Sequence, residues 1–178
     1  MTTIPTRRRF VAVLGGAAFG LAARAAPAAA AAPRLLRFEH LHTGEKLAVE
    51  YFAAGRYLDD ARAAVDHLLR DFRTGDVGRI DAALLDLLHG LQAATGSARA
   101  FQVISGYRSS ATNEALRRHS SGVASSSLHL RGQAIDIRLA DVPLAGLRDA
   151  ALSMRQGGVG YYAASDFVHV DTGRVRAW

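Results

Sequence analysis

Leu36 and Phe38, then Leu47, Val49 and Tyr51, fall at alternate positions on either side of Gly44. A period of two places alternate side chains on one face of a strand, so the pattern predicts strands over 35–43 and 46–52 joined as a hairpin. Downstream the apolar spacing lengthens. Ala, Leu and Val recur at helical intervals over 59–72 and 79–95, with Asp59 and Asp81 near the starts, where a negative charge suits the helix dipole. From residue 100 onward the elements shorten. Residues 101–105 read as a buried strand, 106–109 as a loop, 110–119 as a helix and 120–127 as a long polar loop. A strand over 133–139, a helix over 143–154 with Pro143 at its first turn, and strands over 158–161 and 167–172 complete the chain.

No internal repeat is visible, and 178 residues, 49% of them hydrophobic, suffice for one good core. Helices first, then short strands feeding polar loops, predict a single α+β domain with a small, mainly antiparallel sheet flanked by helices. The domain is expected over 34–178.

Residues 1–33 stand apart. They hold Arg7, Arg8, Arg9 and Arg24 but no acid, followed by an apolar run over 10–23 and an Ala/Pro stretch up to Pro33. Such a layout is an export signal. The Arg pair ahead of a mildly apolar, Gly- and Ala-rich segment resembles a twin-arginine signal, which implies the twin-arginine export machinery as a partner and a periplasmic or envelope destination. The apolar run is shorter than the roughly 20 residues a spanning helix needs, so contact with the membrane is expected only through this segment if it stays uncleaved.

Charge changes meaning once that segment is set aside. The formal charge is +6, yet removing its four arginines leaves 18 cations against 16 acids. A nucleic-acid partner, which needs a basic stripe on the folded domain, is thereby disfavoured. The absence of cysteine excludes disulfides and thiolate metal sites.

Chemistry concentrates in three late segments. His129 and Asp136 lie seven positions apart, and His169 follows in Asp166-Phe-Val-His-Val-Asp171. Two His and one Asp are a ligand set for one zinc ion with an open position for water. Strand alternation puts Ala134, Asp136 and Arg138 on one face and Ile135 with Ile137 on the other; likewise Phe167, His169 and Asp171 oppose Val168 and Val170. Taken singly, the same residues read equally as a His in a Ser-rich loop and a His hydrogen-bonded to Asp171. Arg108, singly, is a loop cation. His40 and His42 sit near acids that complete no open site and read as ordinary surface, while His67, His89 and His119 belong to helical patterns.

Ser-Gly-Tyr-Arg-Ser at 105–109, Ser-x-His-x-x-Gly-x-Ala-x-Asp at 127–136 and Phe-Val-His-Val-Asp-Thr-Gly-Arg-Val-Arg-x-Trp at 167–178 together resemble the LAS-type zinc metallopeptidases. This group contains D-Ala-D-Ala carboxypeptidases and dipeptidases, and the likeness is to its MepK-like murein endopeptidases in particular. The resemblance implies the sheet-based LAS or hedgehog-type zinc peptidase fold and one Zn²⁺ held by His129, Asp136 and His169. It also implies Arg108 as the group holding the substrate carbonyl or its oxyanion, and Ser127 as an aid to substrate or to the ligand loop. The resemblance implies Asp166, three residues before the last ligand, as general base; alternation puts Asp171 on the face of His169, where it is the other candidate or instead orients that imidazole. Gly132 allows the turn that brings His129 back toward Asp136. The implied substrates are peptidoglycan stem peptides and cross-links, hydrolysed by zinc-activated water. Trimming of stem peptides by a D,D- or L,D-carboxypeptidase and a non-catalytic, zinc-containing wall-binding module are the alternatives.

Overall fold

The computed structural model describes Met1 and residues 32–119 and 124–178. The expected export segment at 1–33 therefore lies almost entirely outside the described residues, as do positions 120–123 of the expected polar loop.

Eight strands form one sheet in the order β3-β2-β1-β4-β5-β7-β6-β8. The hairpin forms as β1 (Arg34–His40) and β2 (Lys46–Ala53), and a two-residue β3 (Arg56–Tyr57) extends it. The remaining strands are β4 (Phe101–Ser105), β5 (Ala134–Arg138), β6 (Gly158–Tyr162), β7 (Phe167–Asp171) and β8 (Arg176–Ala177). Pairing is antiparallel except where β1 meets β4 and β6 meets β8. The expected small sheet is thus corrected to an eight-stranded one. The alternation signal missed β3 and β8 because two residues hold no period, and it could not show that β1 joins β4 across both intervening helices.

Four helices accompany the sheet: α1 (Asp59–Leu68), α2 (Ala82–Thr95), α3 (Ser110–His119) and α4 (Leu144–Met154). Helix α1 packs on β2, α2 on β1, and α4 on β6 and β7. They cover the face formed by Leu36, Phe38, Phe101, Val103, Ile135, Ile137, Val168, Val170 and Val159, all buried in one core cluster. Helix α2 starts where Asp81 accepts a hydrogen bond from the Ala83 N–H (3.0 Å) and stops at left-handed Gly96. Asp86 on α2 accepts from Arg34 (2.6 Å), Tyr51 (2.9 Å) and Tyr57 (2.7 Å), which ties the helix to the hairpin.

Helix α1 ends four residues before the predicted limit. The Leu69 carbonyl turns away to accept the Tyr107 N–H (2.7 Å), and the Asp71 carboxylate accepts the Ser109 N–H (2.9 Å) and hydroxyl (2.7 Å). Ser109 in turn caps α3, accepting the Thr112 N–H at 3.2 Å. The end of α1 is spent on anchoring the loop that carries Arg108.

His40 is corrected from surface to core: it is fully buried beside Phe72, with Nδ1 accepting the His42 N–H (3.3 Å). It shares strand parity with Leu36 and Phe38, and burial holds its imidazole pKa below the usual value. Among the described residues no helix is long and apolar enough to cross a membrane.

Candidate metal centre

The sheet face opposite the helices carries a row of residues in register across four strands: Ser105, Asp136, His169 and Gly160. Parity makes this row unavoidable. Ile135 and Ile137, with Val168 and Val170, must face the helices, so Asp136 and His169 face away, side by side on β5 and β7.

His129 comes from a different element, the 3-10 turn Leu128–Arg131. Gly132 closes that turn at φ 64°, against the Arg79 backbone, and its carbonyl accepts the Asp81 N–H (3.0 Å). A side chain at 132 would be strained by conformation and would collide with that backbone. The His129 carbonyl accepts the Arg108 N–H (3.2 Å), so the ligand turn and the Arg108 loop are hydrogen-bonded to each other.

Three atoms converge. His129 Nε2 lies 3.2 Å from His169 Nδ1 and 3.3 Å from Asp136 Oδ1, and His169 Nδ1 lies 2.9 Å from the same oxygen. The far nitrogen of each imidazole is already committed: His129 Nδ1 donates to the Gly106 carbonyl (2.7 Å), and His169 Nε2 donates to Asp171 Oδ2 (3.1 Å). With those protons placed, the facing atoms are two bare ring nitrogens and a carboxylate oxygen. Three acceptors at this spacing require a cation between them, either a proton or a metal ion. Two donors on a tetrahedral ion at about 2.0–2.1 Å lie roughly 3.3 Å apart, so the set fits such an ion. All three residues are buried, and among the described residues they form the one His/Asp/Glu group able to hold a metal.

Electrostatics follow from the same contacts. Burial alone pushes the Asp136 carboxyl up, but His129 and His169 outweigh it and hold it well below the carboxylate range. Burial lowers the His169 imidazole, and bonding to Asp136 and Asp171 reverses that and leaves it raised. Asp171 is wholly buried yet held low, because His169, Arg176 and the Gly158 and Gly173 N–H groups all donate to it.

Beside the three converging residues opens a cavity of about 420 Å³ lined by Arg108, Ser127, Tyr162, Phe167, Arg176 and Trp178, among others. Arg108 Nη2 stands 3.7 Å from Asp136 Oδ2, its Nη1 contacts Asn113 Oδ1 (3.5 Å), and its buried Nε has no partner among the described residues. Burial lowers its guanidinium pKa while Asp136 opposes that shift. Asp166 is elsewhere: a left-handed residue at φ 53° just before β7, largely exposed and paired with Arg138. Arg138 is two residues from Asp136 on the same face of β5, so Asp166 sits at the rim of the site rather than in the lining.

The structure therefore brings together His129, Asp136, His169, Arg108 and Ser127, puts Asp171 behind His169, and leaves Asp166 at the edge. Gly106 and Trp178 carried no assigned role, although both fall within the motifs at 105–109 and 167–178, and Tyr162 was not singled out by the sequence. A backbone carbonyl carries no side-chain signal, and Tyr162 and Trp178 become neighbours only through the pairing of β6 with β8 (Trp178 Nε1 to Tyr162 hydroxyl, 2.8 Å).

The family model described as peptidoglycan L,D-endopeptidase MepK matches residues 28–178. The chain is 44% identical over 182 residues to the peptidoglycan L,D-endopeptidase MepK of Escherichia coli K12, covering 100% of both chains. It is 40% identical over 183 residues to the probable peptidoglycan L,D-endopeptidase MepK of Haemophilus influenzae, covering 100% of this chain and 98% of that one.

Proposed function

The chain belongs to the peptidoglycan L,D-endopeptidase MepK family, and from that membership and the three converging acceptors we propose that it is a zinc-dependent murein endopeptidase hydrolysing peptide cross-links. The observation that carries this reading is the facing of His129 Nε2, Asp136 Oδ1 and His169 Nδ1 at 2.9–3.3 Å, with the other ring nitrogens occupied.

These three residues would hold the ion. A zinc ion there supplies a Lewis acid and brings the pKa of a water toward about 7. The Gly106 carbonyl and Asp171 fix the tautomers and ring planes of His129 and His169, so the lone pairs are aimed before any ion arrives. Arg108, buried and short of acceptors, donates to the scissile carbonyl oxygen and to the oxyanion that develops on it. Ser127 lines the cavity at the entry to the ligand turn and contacts the substrate chain.

Asp171, ringed by donors, has no lone pair to spare for a proton and serves as the orienting group. Asp166 is the general base. In this reading its carboxylate would take the proton of the attacking water and deliver it to the departing amine. Export of the domain by way of residues 1–33 places it at its polymer substrate, and the alignment with the Escherichia coli relative runs through this segment.

The test is digestion of purified cross-linked murein by the mature domain, with and without chelator, followed by mass analysis of the products. Loss of cross-linked dimers that stops with chelator and returns with zinc supports the reading. Intact dimers in the presence of zinc-loaded protein overturn it in favour of a wall-binding module.

A further inference from the structure

Two arginines line the cavity, and the mechanism uses one of them. Arg108 stands on the Asp136 side of the ligand group, 3.7 Å from that carboxylate. Arg176 stands on the other side, reached from His169 through Asp171. Among the described lining residues these are the cations, and the single acid, Asp136, is committed to the imidazoles. Arg176 is paired with Asp171 and Arg108 faces Asp136, so what the cavity offers an anionic group is guanidinium donors rather than excess charge.

The seat of Arg176 is built. Parallel pairing sets Arg176 of β8 opposite Gly158 of β6, and the missing side chain lets the guanidinium lie against Asp171, with contacts of 3.1 Å to Oδ1 and 2.6 Å to Oδ2. The Arg174 carbonyl accepts from Nη1 at 3.0 Å. On the guanidinium's other side lies Trp178, 4.8 Å away, whose ring occupies the space over Gly160. A Cβ at 160 would come within 2.7 Å of that ring. Trp178 also stands 5.2 Å from His169, beside the ligand group. Carboxylate and ring together hold the guanidinium in one place.

Five N–H groups belong to an arginine, and three are used here. The Nε–H and one Nη2–H have no protein acceptor among the described residues, on a side chain that is 30% exposed and borders the cavity. These two donors are therefore available to a group outside the protein.

The bond named for the family supplies the anion. In an L,D peptide bond of murein the amine belongs to a D-configured centre. Where that residue is not extended further, its α-carboxylate lies one carbon from the scissile nitrogen. Every such substrate carries this charge at a fixed distance from the reacting carbonyl, whether the leaving residue is a cross-linked diaminopimelate or a terminal D-Ala.

We propose that Arg176, clamped between Asp171 and Trp178, is a specificity-determining residue that binds the free α-carboxylate of the D-residue on the leaving side of the scissile bond. The assignment rests on the endopeptidase reading and narrows it: L,D bonds whose D-residue ends in a free carboxylate are cut in preference to those whose D-residue continues into a further peptide bond.

The test uses the zinc-loaded mature domain and a stem-peptide dimer joined by an L,D bond, prepared with the leaving-side α-carboxyl either free or amidated. Wild-type protein is expected to favour the free acid by ~10–100-fold in kcat/KM, mostly through KM, the size of one charge-assisted contact. Arg176→Gln brings that ratio close to one, and Arg176→Lys gives an intermediate value. A purely structural Arg176, acting on His169 through Asp171, would slow both substrates alike and leave the ratio intact, which overturns the proposal. Equal cleavage of acid and amide by the wild type overturns it without any variant, so the test survives a variant that fails to fold. Cleavage of neither substrate overturns the endopeptidase reading, and this assignment with it.

Discussion

Asp171 shows how much one residue behind a ligand can contribute. It accepts from His169 Nε2 and so decides which nitrogen of that imidazole faces His129 and Asp136. Substitution of a ligand by Ala, at His129, Asp136 or His169, is expected to abolish stoichiometric zinc in the purified protein. Asp171→Asn keeps an acceptor but loses the charge, and its metal affinity is expected to fall by ~10–100-fold, read by competition with a chromogenic chelator. The proposed catalytic residues are expected to separate from the proposed ligands by the same measurement. Asp166→Ala and Arg108→Ala should retain one zinc each while turnover on cross-linked murein drops by at least ~100-fold; unchanged turnover in Asp166→Ala removes it as base. At this scale the sequence was informative about identity and less so about placement. The convergence of Asp136 and His169 was legible from strand parity and motif spacing, and that of His129 from the motif alone. The pairing of Asp166 with Arg138 was not, since it depends on a left-handed backbone at 166 that no side-chain pattern announces.

The elements that position the site are held by one buried acid. Asp71, after the end of α1, accepts the Ser109 N–H and hydroxyl and so fixes both the start of α3 and the loop carrying Arg108. Burial alone raises its carboxyl, but hydrogen bonds from Thr112, Ser109 and the Arg73 backbone outweigh this and bring it down to about 2. A folded-state value below the unfolded one means that the group stabilises the fold fully above the unfolded carboxylate pKa of about 3.9, and that this stability is lost as pH falls toward about 2. Asp71→Asn is therefore expected to lower stability at neutral pH and to flatten its decline between pH ~4 and ~2, measured by urea unfolding at stepped pH. An unaltered slope would assign the acid sensitivity to other carboxylates. Element positions were legible for α2, α3, α4 and six of the strands, whose apolar periods are long enough to read. The early end of α1 was not, because a long-range acceptor, the Leu69 carbonyl bound to Tyr107, overrides a helical pattern that continues through Phe72.

On the scale of the molecule, the division of labour between sheet faces explains how a chain with no cysteine brings three acceptors together on a rigid mount. The helix-covered face supplies the core, and the opposite face receives Asp136 and His169 on strands that core already fixes. Only His129 must be brought in by a loop, and Gly132, Gly106 and Arg108 bind that loop from three directions. The size of the sheet escaped the sequence reading because β8 contributes two residues, yet it delivers Arg176 and Trp178 to the cavity. A site built from two strands and one loop should stabilise the whole fold when filled, since the ion bridges elements far apart in the chain. At a free ion concentration ~1,000 times Kd the gain is about 4 kcal/mol, which for a domain of this size corresponds to a shift in Tm of about 10 °C. Chelator is expected to lower Tm by that amount in the wild type and to leave His129→Ala unchanged. A wild-type Tm indifferent to chelator and to added zinc would mean that the three acceptors share a proton instead of an ion, and the hydrolytic reading of the site would fall with it.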